Sequence, residues 1–354
     1  MNDTTSGTGS SPTMRRVVVR EGAIDVVEAP VPEPAAGEVQ VRSLVVGVCG
    51  SDTHAAHGRH PFVPLPYHPG HEVVGVVTTT GTNVTAVSPG DRVVVEPDLP
   101  CWECKTCRSG RQNLCENLQF FGCGYEQGGM AELFTLPADR LHRVPDDLGE
   151  AAAALIEPLS TPVHAVRLAG DVRGKAVVVL GAGAIGILVL HVLIAAGVAR
   201  VVVTDVRADK RERAVALGAH AAVDAAAADV VEQVRRELGE SADVVFDCVA
   251  VESTVRAAVG MASKGGTVMV VGVPASDVSV PLAIVQDHQI RIQGSATYLP
   301  EDYEAAMALL RSGSVDADAL VTVVDSLDRA AEAFDLSASG EHVKVVVRVA
   351  SAGA

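Results

Sequence analysis

The sequence predicts an α/β protein in which a doubly wound parallel sheet is combined with a second, irregular and β-rich domain. The chain has 354 residues, of which 48% are hydrophobic, and this length suits two domains of roughly 100–200 residues each. Strand-like and helix-like segments alternate between residues 161 and 295, which is typical of a parallel sheet. Ahead of them, β-rich runs are separated by glycine and proline turns, and four cysteines lie close together between residues 101 and 115.

The composition excludes several classes of partner. A formal net charge of -16 repels phosphate backbones and anionic lipid, so we expect neither nucleic acid nor membrane as a partner, and small neutral or cationic ligands fit better. Residues 1–13 have no basic start and no apolar core, which predicts a disordered tail and no secretion signal. We therefore expect a cytoplasmic, reducing compartment, in which closely spaced cysteines bind metal more often than they form disulfides.

The cysteine cluster has the spacing of a structural zinc site. Two residues separate each of its first three members and a longer interval precedes the fourth, which lets four thiolates complete a tetrahedron; they are Cys101, Cys104, Cys107 and Cys115. Four protein ligands leave no open position, so such a zinc would hold a loop together without catalysis. The alternatives are four free thiols and a zinc-ribbon nucleic-acid module, and the acidic charge disfavours the second.

A second set of metal-binding side chains precedes the cluster, on turns between the β-rich runs at residues 39–48 and 72–77. The candidate ligands are Cys49, the carboxylates Asp52 and Glu72, and the imidazoles His54, His57, His60, His68 and His71. These groups suit an open zinc site, which keeps a position for water or substrate. Spacing does not choose among the histidines, so the residues alone predict a metal site that includes Cys49.

The segment from residue 175 to residue 205 has the features of a βαβ unit. A strand at Ala176–Leu180 leads into a glycine-rich turn, a helix and a second strand at residues 201–204, which ends at Asp205. The turn contains Gly181, Gly183 and Gly186, with Ala184 and Ile185 between the last two. Residues 176–198 are almost wholly apolar, but the early glycines and the β-branched ends favour a buried βαβ unit over a membrane span.

The glycine pattern, its position between strand and helix, and the acidic residue downstream together predict dinucleotide binding. Gly181 allows the tight turn, Gly183 lets the backbone approach the pyrophosphate, and Gly186 lets the helix pack on the strand. The carboxylate of Asp205 favours NAD because it accepts hydrogen bonds from the ribose hydroxyls and repels a 2′-phosphate. Arg207 is the residue that would attract that phosphate, and Lys210 is a further candidate cofactor contact.

Later strands of the parallel sheet are predicted within residues 243–250, 265–274 and 290–295. Two remaining cysteines lie outside the metal patterns. Cys248 ends an apolar strand and is interpreted as a small buried side chain, and Cys123 is interpreted as a non-ligand because the four-cysteine cluster is already complete.

The order of the segments "CGSDTH", "GHE", the four-cysteine cluster, "EPLS" and "GAGAIG" resembles the zinc-dependent medium-chain alcohol and polyol dehydrogenases, in the branch of sorbitol and threonine dehydrogenases. The resemblance covers nearly the whole chain after the tail. It implies that Cys49 and His71 bind a catalytic zinc and that Glu157 is the third ligand. It also implies that Glu72 binds this zinc directly or stands beside it, and that Asp52 orients the histidine.

The activity implied by this resemblance is hydride transfer between NAD and a secondary alcohol or polyol, which yields a ketone. Ser51 and His54 occupy the positions through which the family relays the proton. One catalytic and one structural zinc per chain are expected. The resemblance further implies a homo-oligomer, either a tetramer or a dimer.

The same resemblance implies a GroES-like catalytic domain at residues 14–160, completed by residues 296–354, and a Rossmann NAD-binding domain at residues 161–295, with the active cleft between them. Where the polyol branch usually has arginine before tyrosine, this chain has Thr297 and Tyr298. The loop "FGCGYEQGG" also departs from the pattern of that branch, and both departures disfavour sorbitol as the substrate. A secondary alcohol, a sugar alcohol, an amino-cyclitol and a β-hydroxy amino acid of the threonine type stay open. An inactive zinc- and NAD-binding homologue is the other alternative, and the intact Cys49, His71 and Glu157 argue for an enzyme.

Overall fold

The structure is a computed structural model that describes residues 12–56, 58 and 63–350. Most of the tail, together with His57 and His60, lies outside the described residues. Thr13, which the sequence placed at the end of the tail, begins the first strand instead.

The strands and helices follow in chain order, apart from short 3-10 turns. The strands are β1 Thr13–Arg20, β2 Ala23–Pro30, β3 Glu38–Val48, β4 Glu72–Thr80, β5 Arg92–Val95, β6 Asp98–Leu99, β7 Gln119–Phe120, β8 Leu133–Pro137, β9 Leu141–Arg143, β10 Ala176–Leu180, β11 Arg200–Asp205, β12 Ala221–Asp224, β13 Ala242–Asp247, β14 Ala262–Val270, β15 Arg291–Gly294, β16 Val321–Val324 and β17 Lys344–Arg348. The helices are α1 Gly50–Ala56, α2 Lys105–Arg108, α3 Glu150–Ala154, α4 Ile156–Ala169, α5 Ala184–Ala195, α6 Ala208–Ala216, α7 Val230–Leu238, α8 Glu252–Met261, α9 Leu282–Asp287, α10 Pro300–Arg311, α11 Ala317–Leu320 and α12 Ala330–Ser339.

A six-stranded parallel sheet has the order β12-β11-β10-β13-β14-β15. Counted along the chain this is the order 3-2-1-4-5-6 of a doubly wound sheet, so the predicted fold class is confirmed. Each residue of β10 is buried, because helices cover a parallel sheet on both faces. The continuous run of β-branched and aliphatic residues in this strand suits that environment. The apolar stretch of residues 176–198 is divided between β10 and α5.

A largely antiparallel sheet has the order β16-β17-β3-β4-β5-β9, with β8 also paired to β3. The valine-rich runs of β3 and β4 form its centre, as β-branched residues favour. The last strand, β17, pairs with β3 although it lies at the other end of the described chain. The domain limits derived from the sequence stay a prediction.

Helices α4 and α10 lie between the two sheets, and their apolar side chains join both cores. Leu159 on α4 is fully buried in one cluster that contains Val74 of β4 and Val179 of β10. Pro158 lies in the first turn of α4. A proline is tolerated there because the first helical amides have no partner within the helix.

Among the described residues, none of the helices has both the length and the apolar character needed to span a membrane.

Candidate active site

The ends of β3 and β4 bring together three potential metal ligands. Cys49 follows the last residue of β3, and His71 precedes the first residue of β4. The two strands are antiparallel and Gly47 is paired with Glu72, so the end of one strand lies beside the start of the other. The ligand atoms of Cys49, His71 and Glu72 all lie within 4.8 Å of one another.

The chemistry of this group fits zinc. His71 is buried, and its Nδ1 has no hydrogen-bond partner among the described residues. An unpaired buried nitrogen costs about 1–3 kcal/mol, and a metal ion in contact with the ring would relieve that cost. Although burial alone would lower it, the charge of Asp52 and the hydrogen-bonding influence of Cys49 hold the pKa of His71 well above its usual value. A thiolate beside an imidazole is a donor pair that zinc prefers.

Asp52 supports the turn that carries Cys49. Its side chain is fully buried and accepts hydrogen bonds from the amide of Cys49 at 3.0 Å and from the hydroxyl of Tyr67 at 3.1 Å. Burial raises the pKa of Asp52, and the nearby ring of His71 partly opposes the rise. The carboxylate therefore holds the backbone at Cys49 and acts on His71 through its charge. Its predicted orienting role stays a prediction.

Glu72 stands beside the ligand pair and is held by a lysine. The Nζ atom of Lys344 on β17 lies 2.6 Å and 2.7 Å from the two carboxylate oxygens, and it also donates to the carbonyl of Val48. A Cβ atom on Gly47 would lie 1.8 Å from one of these oxygens, so glycine is required there. Although burial alone would lower it, the carboxylate of Glu72 raises the pKa of Lys344. Sequence reasoning missed Lys344, whose only signal is a lysine at the start of a buried valine run.

Glu157 lies near the group without belonging to its compact core. It is in the first turn of α4 and only 5% exposed, which excludes a solvated glutamate at a helix end. Its Oε1 accepts a hydrogen bond of 2.5 Å from the hydroxyl of Tyr298. Burial, together with the charge of Glu72, raises the pKa of Glu157 to about 7. The structure therefore places this carboxylate within electrostatic reach of His71 and Glu72, and its role as third ligand stays a prediction.

The other candidates of this stretch are outside the compact group of Cys49, His71 and Glu72. Ser51 is half-buried and His54 exposed, both on α1, and His68 is half-buried in the turn before β4. Cys123 is outside the ligand group, and burial raises the pKa of its thiol to about 11. The relay through Ser51 and His54 stays a prediction.

The four-cysteine cluster forms a second site. All four Sγ atoms lie within 4.8 Å of one another, with Cys115 at 3.4 Å from Cys101 and 3.9 Å from Cys104. These separations resemble the edge of a zinc–sulfur tetrahedron, about 3.8 Å for bonds of about 2.3 Å, and exceed a disulfide bond of about 2.05 Å. The hydroxyl of Thr106 and the amide of Cys107 lower the pKa of Cys104 to about 5, which favours the thiolate. The predicted structural zinc fits this geometry.

The glycine-rich turn lies at the carboxyl end of β10, where the order of the parallel sheet reverses. Gly181 has a φ of +93°, and a Cβ on Gly186 would lie 1.8 Å from the carbonyl oxygen of Gly181. Gly183 precedes α5, whose first residues, Ala184 and Ile185, are partly exposed. Both positions where glycine is indispensable therefore form the turn itself, and the start of α5 is open to a ligand.

Asp205 ends β11 beside that turn. Its two oxygens accept hydrogen bonds of 2.9 Å from the amides of Ala182 and Arg207. The guanidinium of Arg207 is paired with Asp209 at 2.7 Å and also donates to the carbonyl of Ser339. Lys210 lies close to Gly340. The cation that would attract a 2′-phosphate is thus engaged elsewhere.

Two family models and several named proteins match this chain. Residues 35–146 match the model of the alcohol dehydrogenase GroES-like domain, and residues 184–312 match that of the zinc-binding dehydrogenases. A sorbitol dehydrogenase of Ovis aries is 34% identical over 94% of this chain and 95% of its own length. A protein named probable D-xylulose reductase A of Neosartorya fischeri is 33% identical over 90% of this chain and 92% of its own length.

Solved structures show the same relationship. A zinc-binding dehydrogenase of Sinorhizobium meliloti bound to NADP superposes with a TM-score of 0.87 at 32% identity, covering 96% of this chain and 100% of that one. The resemblance inferred from the motifs is confirmed, and with it the zinc and nicotinamide cofactors. The chain belongs to the zinc-dependent medium-chain alcohol and polyol dehydrogenases.

Proposed function

We propose that this protein transfers hydride between a secondary alcohol or polyol and NAD, and that the alcohol becomes a ketone. The observation that carries the proposal is the Cys49, His71 and Glu72 group, built at the meeting ends of β3 and β4, in a chain that also has a dinucleotide-binding turn. The names of the relatives, sorbitol dehydrogenase and D-xylulose reductase, support a polyol as the substrate class.

In this proposal Cys49 and His71 hold the catalytic zinc, and Glu157 or Glu72 completes its protein ligands. When bound, zinc supplies the Lewis acidity that makes an alcohol proton easier to remove, and NAD supplies the hydride acceptor. Lys344 keeps the carboxylate of Glu72 at its side of the group, and Tyr298 holds that of Glu157. Ser51 and His54 would carry the released proton from the site to solvent, a role that the exposure of His54 supports.

The remaining parts of the proposal concern the whole molecule. The four-cysteine cluster holds the structural zinc and stiffens the lobe that follows β6. Residues 14–160 and 296–354 form the catalytic domain, and residues 161–295 form the NAD-binding domain. The protein is a cytoplasmic homo-oligomer, a tetramer or a dimer, and a reducing compartment suits the seven described cysteines, none of which forms a disulfide.

A test requires the zinc-loaded protein, NAD and a panel of polyols and simple secondary alcohols, with NADH formation as the readout. We expect turnover of at least one secondary alcohol and its loss in a Cys49→Ala variant. The threonine-type β-hydroxy amino acids and amino-cyclitols belong in the same panel, because Thr297 replaces the arginine usual in the polyol branch. A folded, zinc-loaded protein that binds NADH but oxidises none of these compounds would favour the inactive homologue.

A further inference from the structure

A further carboxylate near the metal group, that of Asp98, has no hydrogen-bond partner among the described residues. Asp98, the first residue of β6, is fully buried, and neither of its side-chain oxygens has a hydrogen-bond partner among the described residues. Buried carboxylates are normally paired or hydrogen-bonded, so an unpaired one needs an explanation. Its position provides one.

Asp98 is attached to the wall of the metal site. In the short ladder of β6 and β7 it pairs with Phe120, whose ring meets the ring of His71 edge-on at 5.5 Å between centroids. The amide of Phe121 donates to the carbonyl of Pro97 and fixes the same two segments. The backbone of Asp98 is therefore one side chain away from a proposed zinc ligand.

The side chain of Asp98 faces the segment that leads from β15 to α10. The Thr297 hydroxyl is near enough to favour the charged form of Asp98, yet neither group reaches the other at hydrogen-bond geometry. The buried hydroxyl oxygens of Ser295 and Thr297 also have no partner among the described residues. Thr297 has a φ of 44°, a strained conformation for a β-branched residue, and such strain is concentrated at functional sites.

This cluster adjoins Glu157. Tyr298, next to Thr297 in the chain, donates its hydroxyl to the Glu157 carboxylate. Burial raises the pKa of Tyr298, and the charges of Glu157 and Asp98 raise it further, so both carboxylates lie near that ring. Asp98 and Glu157 thus both lie near Tyr298, and Glu157 is a proposed ligand of the catalytic zinc.

The cation that acts on Asp98, Arg140, is paired with another carboxylate. Arg140 acts on Asp98 through its charge, but its guanidinium is paired with Glu96 at 2.8 Å, and His142 lies 2.7 Å from the other oxygen of Glu96. Burial raises the pKa of Asp98 to about 8. Because both oxygens of Asp98 are unpaired among the described residues, a group that brings its own hydrogen-bond donor would find an uncommitted acceptor and would favour the charged form of the carboxylate.

We propose that Asp98, together with the Thr297 hydroxyl, forms a specificity subsite that accepts hydrogen bonds from a second donor group of the substrate, next to the carbinol that is oxidised. That donor is a hydroxyl or an ammonium group. The inference rests on the proposed function, because it assumes that an alcohol is bound at the adjacent metal site. It gives a physical basis for a preference for polyols or amino alcohols over monohydric alcohols.

The test compares three alcohols of equal size: sec-butanol, propylene glycol and isopropanolamine, which carry a methyl, a hydroxyl or an ammonium group at the same position. Steady-state kcat and KM are measured for the wild-type protein and for Asp98→Ala, Asp98→Asn and Asp318→Asn. Asp318 is an exposed aspartate on α11 and serves as the matched control. Zinc content and the unfolding midpoint of each variant establish that it is folded.

In the wild-type protein we expect kcat/KM to favour propylene glycol or isopropanolamine over sec-butanol. In Asp98→Ala the kcat/KM for the preferred compound, divided by that for sec-butanol, should fall about 10–100-fold, which is the range for a hydrogen bond to a charged group. Turnover of sec-butanol itself should be retained. Asp98→Asn separates the two donors, because an amide oxygen still accepts from a hydroxyl but no longer neutralises an ammonium. Asp318→Asn should match the wild-type ratio.

An equal loss for all three alcohols, or an unchanged ratio in Asp98→Ala and Asp98→Asn, would refute the subsite and leave Asp98 a structural residue. Failure of the wild-type protein to oxidise any of the three, or any compound in the wider panel, would refute the proposed function and the inference with it. The two failures are therefore distinguishable.

Discussion

Replacing Lys344 with methionine would leave the carboxylate of Glu72 buried without its cation. The side chains of the two residues are only 4% and 2% exposed, and Nζ lies 2.6 Å and 2.7 Å from the carboxylate oxygens. Removing one partner of a buried ion pair costs about 3–5 kcal/mol because the other charge stays desolvated. With the usual entropy of unfolding of about 2.1 cal/mol/K per residue, this loss lowers the midpoint of a 354-residue chain by about 4–7 °C.

The assay is thermal and urea unfolding of the zinc-loaded protein, with Arg311→Met as the control. Arg311 forms an ion pair with Asp147 in which the side chains are 54% and 57% exposed, so its loss should cost less than about 1 kcal/mol. The double variant Lys344→Met with Glu72→Gln should recover part of the loss, since it removes the unpaired charge. Equal effects of Lys344→Met and Arg311→Met, or no recovery in the double variant, would refute this reasoning.

The pH dependence of the same pair has a defined sign. The pKa of Lys344 is raised in the folded protein, since the Glu72 carboxylate outweighs the opposite effect of burial. The stabilisation is therefore fully present below the ordinary lysine value of about 10.4 and is lost as the pH rises through the folded value. The difference in stability between the wild-type protein and Lys344→Met should be constant near neutral pH and shrink only in strong alkali.

Three further predictions concern the two metal sites and the cofactor. Mild chelation should remove one of two zinc ions per chain together with activity. Metal analysis of the untreated protein that finds a single zinc would contradict this. The kcat/KM of the wild-type protein should be higher with NAD than with NADP. Asp205→Ala should narrow this difference, because it removes the carboxylate that repels the 2′-phosphate. A wild-type preference for NADP would mean that Arg207 leaves Asp209 and binds the phosphate. Glu157→Ala should lower turnover by at least about 10–100-fold and weaken the binding of the labile zinc. Cys104→Ser should instead lower the unfolding midpoint first. Normal turnover in Glu157→Ala would make Glu72 the better candidate for the third ligand.

The features that the sequence predicted well are local. The strand at Ala176–Leu180 has the predicted bounds, and the glycine turn and α5 follow it, because the apolar run and the glycines lie within a few residues of one another. The four-cysteine cluster is local in the same sense. The place of Pro158 is ambiguous in the sequence, because a proline is equally compatible with the end of one helix and the first turn of the next.

The features that the sequence did not predict depend on distant partners. Lys344 and Glu72 are 272 residues apart, and nothing within "KVVVR" distinguishes a buried lysine from one at a solvent-exposed strand end. Asp98 lies in "EPDLP", where the flanking prolines indicate a turn and a turn aspartate is usually solvated. Its burial becomes visible only when β6 pairs with β7 and the segment around Thr297 covers it.

The pairing of β17 with β3 also sets an order of events during synthesis. Val48, whose carbonyl receives a hydrogen bond from Lys344, leaves the ribosome 296 residues ahead of that lysine. At roughly 5–20 residues per second, about 15–60 s separate the two. For most of that interval the nascent chain contains Cys49, His71 and Glu72, but Glu72 has no lysine to meet. The parallel sheet, whose strands follow one another from Ala176 to Gly294, can form while translation continues, whereas the sheet that bears the metal group is completed last.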